Sequence, residues 1–234
     1  MPSAAQSPPA NRVLAALPAK QYGRMTANLE KVELEFGAML CERDAAFQHV
    51  YFPNDSMVSL VALAEGGDGV EVGLVGRDSM VGMPLVLGNA TSPVRALVQG
   101  AGSAMRMDAK RFVAELKRDG ALQQQLDRCI YVSMTTAMQI AVCNKAHLLS
   151  ARLARWLLMV RDRLARDEFP LTQEFLAQML GVRRAGVTEA ASALQDRELI
   201  SYTRGRIKIL DAQLLGAAAC SCYGLIRELE KGSR

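Results

Sequence analysis

The sequence predicts an α+β fold with an antiparallel β domain first, one long helix next, and a helical unit carrying a β-hairpin last. Three observations predict it. Short strand-like runs between turn residues fill residues 31–107. No Gly or Pro interrupts residues 121–166, where the apolar spacing becomes helical. A helix, a Gly-containing turn and a second helix then precede two short strands between residues 171 and 210.

The composition fits a folded chain with two differently charged parts. Of the 234 residues, 50% are hydrophobic and 22% are charged, which excludes a disordered protein. The net charge of +4 arises entirely after residue 146, where 14 Lys and Arg stand against 10 Asp and Glu. Twelve of these cations are Arg, the better residue for bidentate contacts with phosphate and guanine. A neutral front and an arginine-rich back predict two functions in one chain.

The apolar stretches, the N-terminus and the cysteines indicate a cytoplasmic protein without a membrane segment or export signal. No apolar stretch approaches the ~20 residues of a membrane span. Residues 1–12 lack the basic start and apolar segment of a secretory signal, and we interpret them as a disordered tail. The odd number of cysteines, five, does not indicate a disulfide framework.

Residues 13–118 are the predicted β domain. Strands are predicted at residues 31–36, 49–52, 57–63, 70–75, 95–98 and 104–107. Alternation is clearest where Val70, Val72 and Leu74 flank Glu71 and Gly73. Many short strands at this spacing favour an antiparallel sandwich or barrel, not a parallel nucleotide-binding sheet.

Residues 119–147 are predicted to form a dimerisation helix. Small, polar and apolar residues share one helical stripe, as in helices that pack against a second copy of themselves. The alternative is packing on the chain's own β domain. The stripe consists of Leu122, Leu126, Ile130, Ser133, Ala137 and Ile140.

The last predicted domain, residues 148–234, begins with an amphipathic helix. Apolar residues from Leu149 to Leu164 recur on one face at helical spacing. The other face is predicted to carry Arg152, Arg155, Arg163 and Arg166.

A helix-turn-helix motif follows at residues 171–194. Thr172 suits a helix N-cap, Gly181 supplies the turn, and Val182 is a hydrophobic plug before the second helix. The start of such a second helix places side chains at base edges in the major groove, where Arg reads guanine and Glu can accept from cytosine. The predicted base-reading residues are Arg183, Arg184, Thr188 and Glu189.

Two strands joined through residues 203–206 resemble the wing of a winged helix. Arg on both sides of the tip Gly205 would contact phosphate without reading sequence. The predicted phosphate-contacting residues are Thr172, Ser192, Arg204, Arg206 and Lys208. The alternative is that Gly181 joins two structural helices and that the arginines form a solvated face.

With these motifs the chain resembles the bacterial transcription factors of the cyclic-AMP receptor protein and fumarate–nitrate reduction regulator family (Crp-Fnr). The resemblance covers residues 13–215 and is most specific from residue 171 through the wing. Residues 50–53, the hairpin at residues 66–69, and Gly76-Arg77-Asp78 before Val81-Gly82 also match in order. It implies an N-terminal cyclic-nucleotide-binding-like β-roll, a long dimerisation helix and a C-terminal winged helix-turn-helix.

The effector pocket departs from the family pattern. The resemblance places a candidate pocket at Met80, Gly82 and Arg95, but Met80 stands where nucleotide-binding members carry the Glu that holds the ribose. Arg95 is shifted and lacks the Ser that follows the phosphate-binding Arg, so half of the anion-binding set is missing. We therefore expect no cyclic AMP, although an unidentified small effector remains open.

Other cofactors are not expected either. No Cys precedes Cys41, so we do not expect an N-terminal iron–sulfur cluster. Haem is not expected either, because only His49 and His147 are available to bind it. The Cys220-Ser-Cys222 pair could bind metal or sense oxidation, but two ligands do not complete a zinc site, and we interpret both as ordinary thiols.

The leading hypothesis is a homodimeric transcriptional regulator that binds double-stranded DNA at a pseudo-palindromic operator and contacts RNA polymerase. Ala185 and Glu189 replace residues with which family members read their best-known operator, so a different operator is expected. The alternative is a ligand- or redox-sensing regulator that acts through protein contacts with a repurposed winged helix. No nucleophile–base pair, phosphate-binding loop or zinc-protease motif is present, so an enzyme is not expected.

Overall fold

The computed structural model describes residues 10–65, 69–118 and 120–232. Residues 1–9 of the predicted disordered tail lie outside the described residues. For the end of the tail the prediction of disorder is wrong. Asn11 is fully buried, and its side-chain amide donates to the carbonyl oxygens of Pro53 (2.9 Å) and Ser79 (3.0 Å). Its Oδ1 accepts from the Val13 amide at 3.0 Å and caps the first helix, α1 (Arg12–Ala15). A second short helix, α2 (Ala19–Thr26), follows.

Two antiparallel sheets form the N-terminal domain, as the sequence predicts. One has the strand order β1–β7–β3 and the other β2–β6–β4–β5. The strands are β1 (Glu30–Leu34), β2 (Met39–Cys41), β3 (His49–Pro53), β4 (Met57–Leu63), β5 (Gly69–Val75), β6 (Arg95–Gly100) and β7 (Gly102–Asp108). The sequence did not indicate β2, because three residues are too few to show alternation. A 3₁₀ helix (Met83–Leu87) lies between β5 and β6.

Three helices lead out of the β domain. Asp108 caps α3 (Ala109–Leu116) by accepting from the Arg111 amide at 3.0 Å. Next come the long helix α4 (Gly120–Ala146) and α5 (Leu149–Leu164), separated by residues 147 and 148. These bounds agree with the helices expected from the uninterrupted helical spacing.

The C-terminal unit combines helices with a three-stranded sheet of order β8–β10–β9. Its elements are β8 (Glu168–Pro170), α6 (Gln173–Leu180), α7 (Arg184–Gln195), β9 (Ile200–Thr203), β10 (Arg206–Ile209), α8 (Ala212–Ala218) and α9 (Cys222–Gly232). None of the helices within the described ranges is long and apolar enough to span a membrane.

One apolar core joins the two parts of the chain. Met57 and Val61 of β4 are buried in the same cluster as Leu153 and Leu157 of α5 and the helices that follow. The Phe36 and Phe175 rings also lie 6.3 Å apart across the junction, between the β domain and α6. The expected boundary at residue 148 is therefore a change of secondary structure inside a continuous core.

The arginines of α5 do not form the predicted outer face. Arg152, Arg155 and Arg163 are all buried. Arg163 pairs with Asp78 and with Glu230 of α9, and its Nε donates to the Leu74 carbonyl oxygen of β5 at 3.4 Å, so that side of the helix is enclosed as well. Arg166, the fourth arginine of the predicted face, lies beyond the end of α5 and is exposed. Its guanidinium donates to the carbonyl oxygens of residues 55 and 101 at 2.9 Å.

Candidate nucleic-acid interface

The helix-turn-helix has the predicted local geometry. Thr172 Oγ1 accepts from the Phe175 amide at 3.1 Å and caps α6. Gly181 ends α6 in the left-handed region at φ +63°, which an L residue adopts only at a cost. The Val182 amide then donates to the Ala177 carbonyl at 3.0 Å, which reverses the chain into α7. The structure thus confirms the turn that the sequence predicts.

The second helix, α7, buries one face and leaves the other exposed. Val187, Ala190, Ala191 and Leu194 form its buried face. The exposed side carries Arg183, Arg184, Thr188, Glu189 and Ser192. The structure therefore brings all four predicted base-reading residues and Ser192 onto one open surface.

These side chains differ in whether they already form ion pairs or hydrogen bonds within the chain. Arg183, Arg184 and Glu189 form no ion pair with any residue of the described ranges. The Thr188 hydroxyl lies 3.0 Å from Gln173 Oε1 and 3.2 Å from the Arg184 carbonyl oxygen, so it is already hydrogen-bonded within the chain. Two unpaired guanidinium groups at the start of an exposed helix favour an anionic or guanine-bearing partner.

The wing is a tight hairpin at the tip of the C-terminal sheet. Thr203 pairs with Arg206 across it, and Arg204 and Gly205 between them both have positive φ, +48° and +74°. Two such residues form the turn that matches the twist of the flanking strands. The Leu171 amide donates to the Gly205 carbonyl at 2.7 Å, which fixes the tip next to Thr172 and the start of α6. Wing and helix-turn-helix therefore form one surface.

The wing cations are not equivalent. Arg204 and Lys208 are exposed and have no ion-pair partner in the described part of the chain, whereas Arg206 Nε lies 2.9 Å from Glu168 Oε1. A phosphate contact by Arg206 would compete with this exposed pair, which is worth at most about 1 kcal/mol.

The exposed apolar face of α4 is not the predicted stripe. Leu122 and Leu126 are fully buried against Phe112 and Phe52 in the chain's own core, so their assignment to a dimer face is wrong. Ser133 and Ala137 are exposed, and Ile130 and Ile140 are half-buried. A different row of large side chains lies open to solvent, which we call the α4 apolar patch: Tyr131, Met134, Met138 and Val142.

The candidate effector residues lie in two different environments. Met80 is 1% exposed in the core beside Val50, and Gly82 packs against both. Arg95 is partly exposed and pairs with Glu42, the Nε–Oε2 distance being 2.8 Å. A cavity of ≈ 480 Å³ lies elsewhere, where Leu60, Val72 and Leu74 face α4 and α5.

One cluster escaped the sequence analysis. Cys143 and His147 lie next to Cys220 and Cys222, so the expectation that only two ligands are available is wrong. The spacing Cys143-x₃-His147 on one helix was the available signal, since residues four apart share a helix face.

The comparisons with known proteins agree with this geometry. A family model described as a Crp-like helix-turn-helix domain matches residues 151–218. No curated protein gives a significant match.

Solved structures match over most of the chain at low identity. FixK2 from Bradyrhizobium japonicum is 15% identical with a TM-score of 0.69, over 82% of this chain and 98% of that chain. A CRP-family transcriptional regulator from Thermus thermophilus is 19% identical with a TM-score of 0.65, over 80% of this chain and 96% of that chain. The c-di-GMP-responsive regulator CLP of Xanthomonas campestris is 14% identical with a TM-score of 0.62, over 83% of this chain and 100% of that chain. Residues 151–218 therefore match a Crp-like helix-turn-helix domain, and the chain as a whole shares the fold of these solved structures.

Proposed function

We propose that the chain is a sequence-specific regulator of transcription that binds double-stranded DNA as a homodimer on a pseudo-palindromic operator. The observation that carries the proposal is the exposed start of α7, where Arg183 and Arg184 have no ion-pair partner in the described ranges. Regulators of this fold place that end of the helix in the major groove.

Two sets of residues divide the work at the DNA. Side chains at the start of α7 reach base edges, with an arginine donating bidentately to guanine O6 and N7. The base-reading set is Arg183, Arg184, Thr188 and Glu189. The second set surrounds the wing and α6 and fixes the protein on phosphates without reading sequence. The phosphate set is Thr172, Ser192, Arg204, Arg206 and Lys208.

The α4 apolar patch supports the homodimer. Tyr131, Met134, Met138 and Val142 are 49–60% exposed and recur at three- and four-residue spacing. Two copies of α4 packed on this face would bury the patch in a coiled-coil-like seam. The two α7 helices would then meet successive major grooves about 34 Å apart.

We further propose that cyclic AMP is not the effector. Met80 fills the core and Arg95 is paired with Glu42, so neither offers a free group to a cyclic phosphate. The c-di-GMP response of CLP leaves open that another small molecule acts here. Residues 13–118 would then be the regulatory domain and residues 148–234 the DNA-binding domain, acting with RNA polymerase in the cytoplasm.

A salt titration of DNA binding tests the proposal. The full-length protein is titrated with genomic fragments, and observed affinity is plotted against salt on logarithmic axes. We expect a steep negative slope and a small set of fragments bound about 10³-fold or more tightly than the rest. The Arg184→Ala variant should lose affinity for the tightly bound fragments. The matched control is Lys110→Ala, which removes an exposed cation of α3 and should keep that affinity. A slope near zero or equal affinity for all fragments would contradict the proposal and favour a regulator that acts through protein contacts.

A further inference from the structure

Four metal-ligating side chains meet where the long helix ends. Cys143 lies in the last turn of α4 and His147 directly after that helix, while Cys220 lies between α8 and α9 and Cys222 is the first residue of α9. One ligand atom from each residue falls within 4.8 Å of all the others. The Sγ atoms of Cys143 and Cys220 are 3.4 Å apart, and Cys222 Sγ is 3.6 Å from His147 Nδ1.

These distances suit a single tetrahedral ion. Zn–S bonds of about 2.3 Å at tetrahedral angles place two sulfur atoms about 3.8 Å apart. Three cysteines and one histidine are a common structural zinc set, and soft thiolate ligands select zinc over magnesium or calcium. Cys143, Cys220 and Cys222 are at most 7% exposed, while His147 is partly exposed and gives the ion a path from solvent.

Two buried arginines supply the charge that such a site needs. Arg152 and Arg155 are 8% and 2% exposed, and neither pairs with a carboxylate of the described residues. Both interact electrostatically with the Cys143 sulfur, and the Nε atom of each lacks a hydrogen-bond partner. Arg155 also interacts electrostatically with the buried Glu71 carboxylate, whereas the groups that act on Arg152 are Cys143, Cys220 and Arg155. Burying a cation is costly unless negative charge lies nearby. Three thiolates around one Zn²⁺ carry a net charge of −1, which the neighbouring guanidinium groups would stabilise.

The surrounding hydrogen bonds already hold the ligands in place. The Gln139 side-chain amide donates to Cys222 Sγ at 3.1 Å, and the His147 amide donates to the Cys143 carbonyl at 3.1 Å. The Cys220 amide donates to Ala151 of α5 at 3.4 Å. Such outer contacts orient metal ligands and raise affinity. All four ligands also lie outside the residues that the family model matches.

We propose that Cys143, His147, Cys220 and Cys222 bind one Zn²⁺ ion. The ion would cross-link the end of α4 to α9 at the connection between the long helix and α5. It would thereby stabilise the position of the DNA-binding unit relative to the dimerisation helix. The proposal rests on the cluster alone and is independent of DNA binding.

The test uses the full-length chain under reducing conditions. The protein is stripped with a chelator, reloaded with Zn²⁺ or Co²⁺ and freed of excess ion. We expect one zinc per chain by elemental analysis. With Co²⁺ we expect the thiolate-to-cobalt charge-transfer bands and intense d–d absorption of a tetrahedral sulfur-rich site. The zinc-loaded protein should also melt at a higher temperature than the stripped protein.

Variants separate the site from unspecific binding. Cys143→Ser and Cys222→Ser should each weaken zinc binding by more than the roughly 10–100-fold that loss of an outer contact costs. Cys129→Ser, a thiol outside the cluster, should retain one zinc. The wild-type measurement decides the question even if a ligand variant fails to fold.

Two results would overturn the proposal. One is a reduced, folded wild-type protein that retains well under one zinc per chain and gives an octahedral cobalt spectrum. The other is a Cys143–Cys220 disulfide that persists under reducing conditions, detected by the mass of the intact protein, since it would remove two of the four ligands.

Discussion

Trp156 of α5 donates its indole N–H to the Glu71 carboxylate of β5 over 2.7 Å, and both side chains are buried. This bond joins the DNA-binding part of the chain to the β domain. Ser59 lies within hydrogen-bond distance of the other Glu71 oxygen, at 2.7 Å, and of Gln99 Oε1. If Glu71 is protonated, its O–H can donate to Ser59 while Ser59 donates to Gln99, so every group has a partner.

The Glu71 carboxyl makes stability depend on pH. Burial raises its pKa to about 7, against the hydrogen bonds from Ser59 and Trp156 and the charges of Arg155 and Arg163. The folded protein therefore holds an extra proton between the ordinary pKa of 4.5 and about 7. This contribution to the free energy of unfolding is complete below pH 4.5 and is lost as pH rises through 7.

We predict that Glu71→Gln removes this loss. At pH 8 the variant should have a free energy of unfolding higher by about 1–3 kcal/mol, because the amide stays neutral and can keep the bonds to Trp156 and Ser59. Urea unfolding at pH 5.5 and pH 8 measures it. Glu33→Gln, an exposed carboxylate on β1, is the control and should follow the wild type. The prediction would be contradicted if, between pH 5.5 and pH 8, the wild-type protein gained stability relative to the Glu71→Gln variant.

Two arginine variants separate base reading from phosphate contact. Arg184→Ala should lose about 1–3 kcal/mol of discrimination at one base pair, whereas Arg204→Ala should weaken binding to all sequences alike and reduce the salt slope by about 1. Binding to a panel of single-base operator variants measures both effects. Uniform losses for both variants across the panel would show that the assigned roles are wrong.

The α4 apolar patch can be tested by one charge. Met138→Asp places a carboxylate in the seam and should raise the dimer dissociation constant by at least about tenfold, because two desolvated charges would face each other. Sedimentation velocity across a concentration series measures it. Gln124→Glu, an exposed site on the same helix outside the patch, should remain dimeric. A Met138→Asp protein as dimeric as wild type would place the interface elsewhere.

Gly181 can be tested by a single methyl group. Gly181→Ala should lower the free energy of unfolding by about 1–2 kcal/mol, because an L residue at φ +63° crowds its own carbonyl. The new Cβ would also lie 3.0 Å from Val70 Cγ2 on β5. Thermal unfolding measures the loss, with Gly216→Ala in α8, where a Cβ meets nothing within 4 Å, as the control. Equal melting temperatures for Gly181→Ala and wild type would refute the strain argument.

Local signals predicted the helix-turn-helix and the wing, because caps and turns are set by adjacent residues. Thr172, Gly181 and the Arg204-Gly205 tip each occupy the conformation that their residue types favour. The same reasoning gave the antiparallel strands and the extent of the long helices.

Packing between distant segments was not predictable in this way. Helix α4 has two apolar faces, and periodicity alone does not say that Leu122 and Leu126 face the chain's own core while Met134 and Met138 face solvent. The buried state of Arg163 likewise depends on β5 and on α9, which the sequence does not place beside α5. Cys143 and Cys220 are 77 residues apart, and only the fold brings their sulfur atoms to 3.4 Å.

A hydroxyl-radical footprint of the full-length protein on its best genomic fragment tests the central proposal most directly. We predict two protected tracts on one face of the duplex, centred about 34 Å or 10–10.5 base pairs apart and related by pseudo-twofold sequence symmetry. Arg184→Ala should lose both tracts together at the concentration where Lys110→Ala still shows them. A single protected tract, or protection without sequence preference along the whole fragment, would contradict a homodimer that reads an operator through α7.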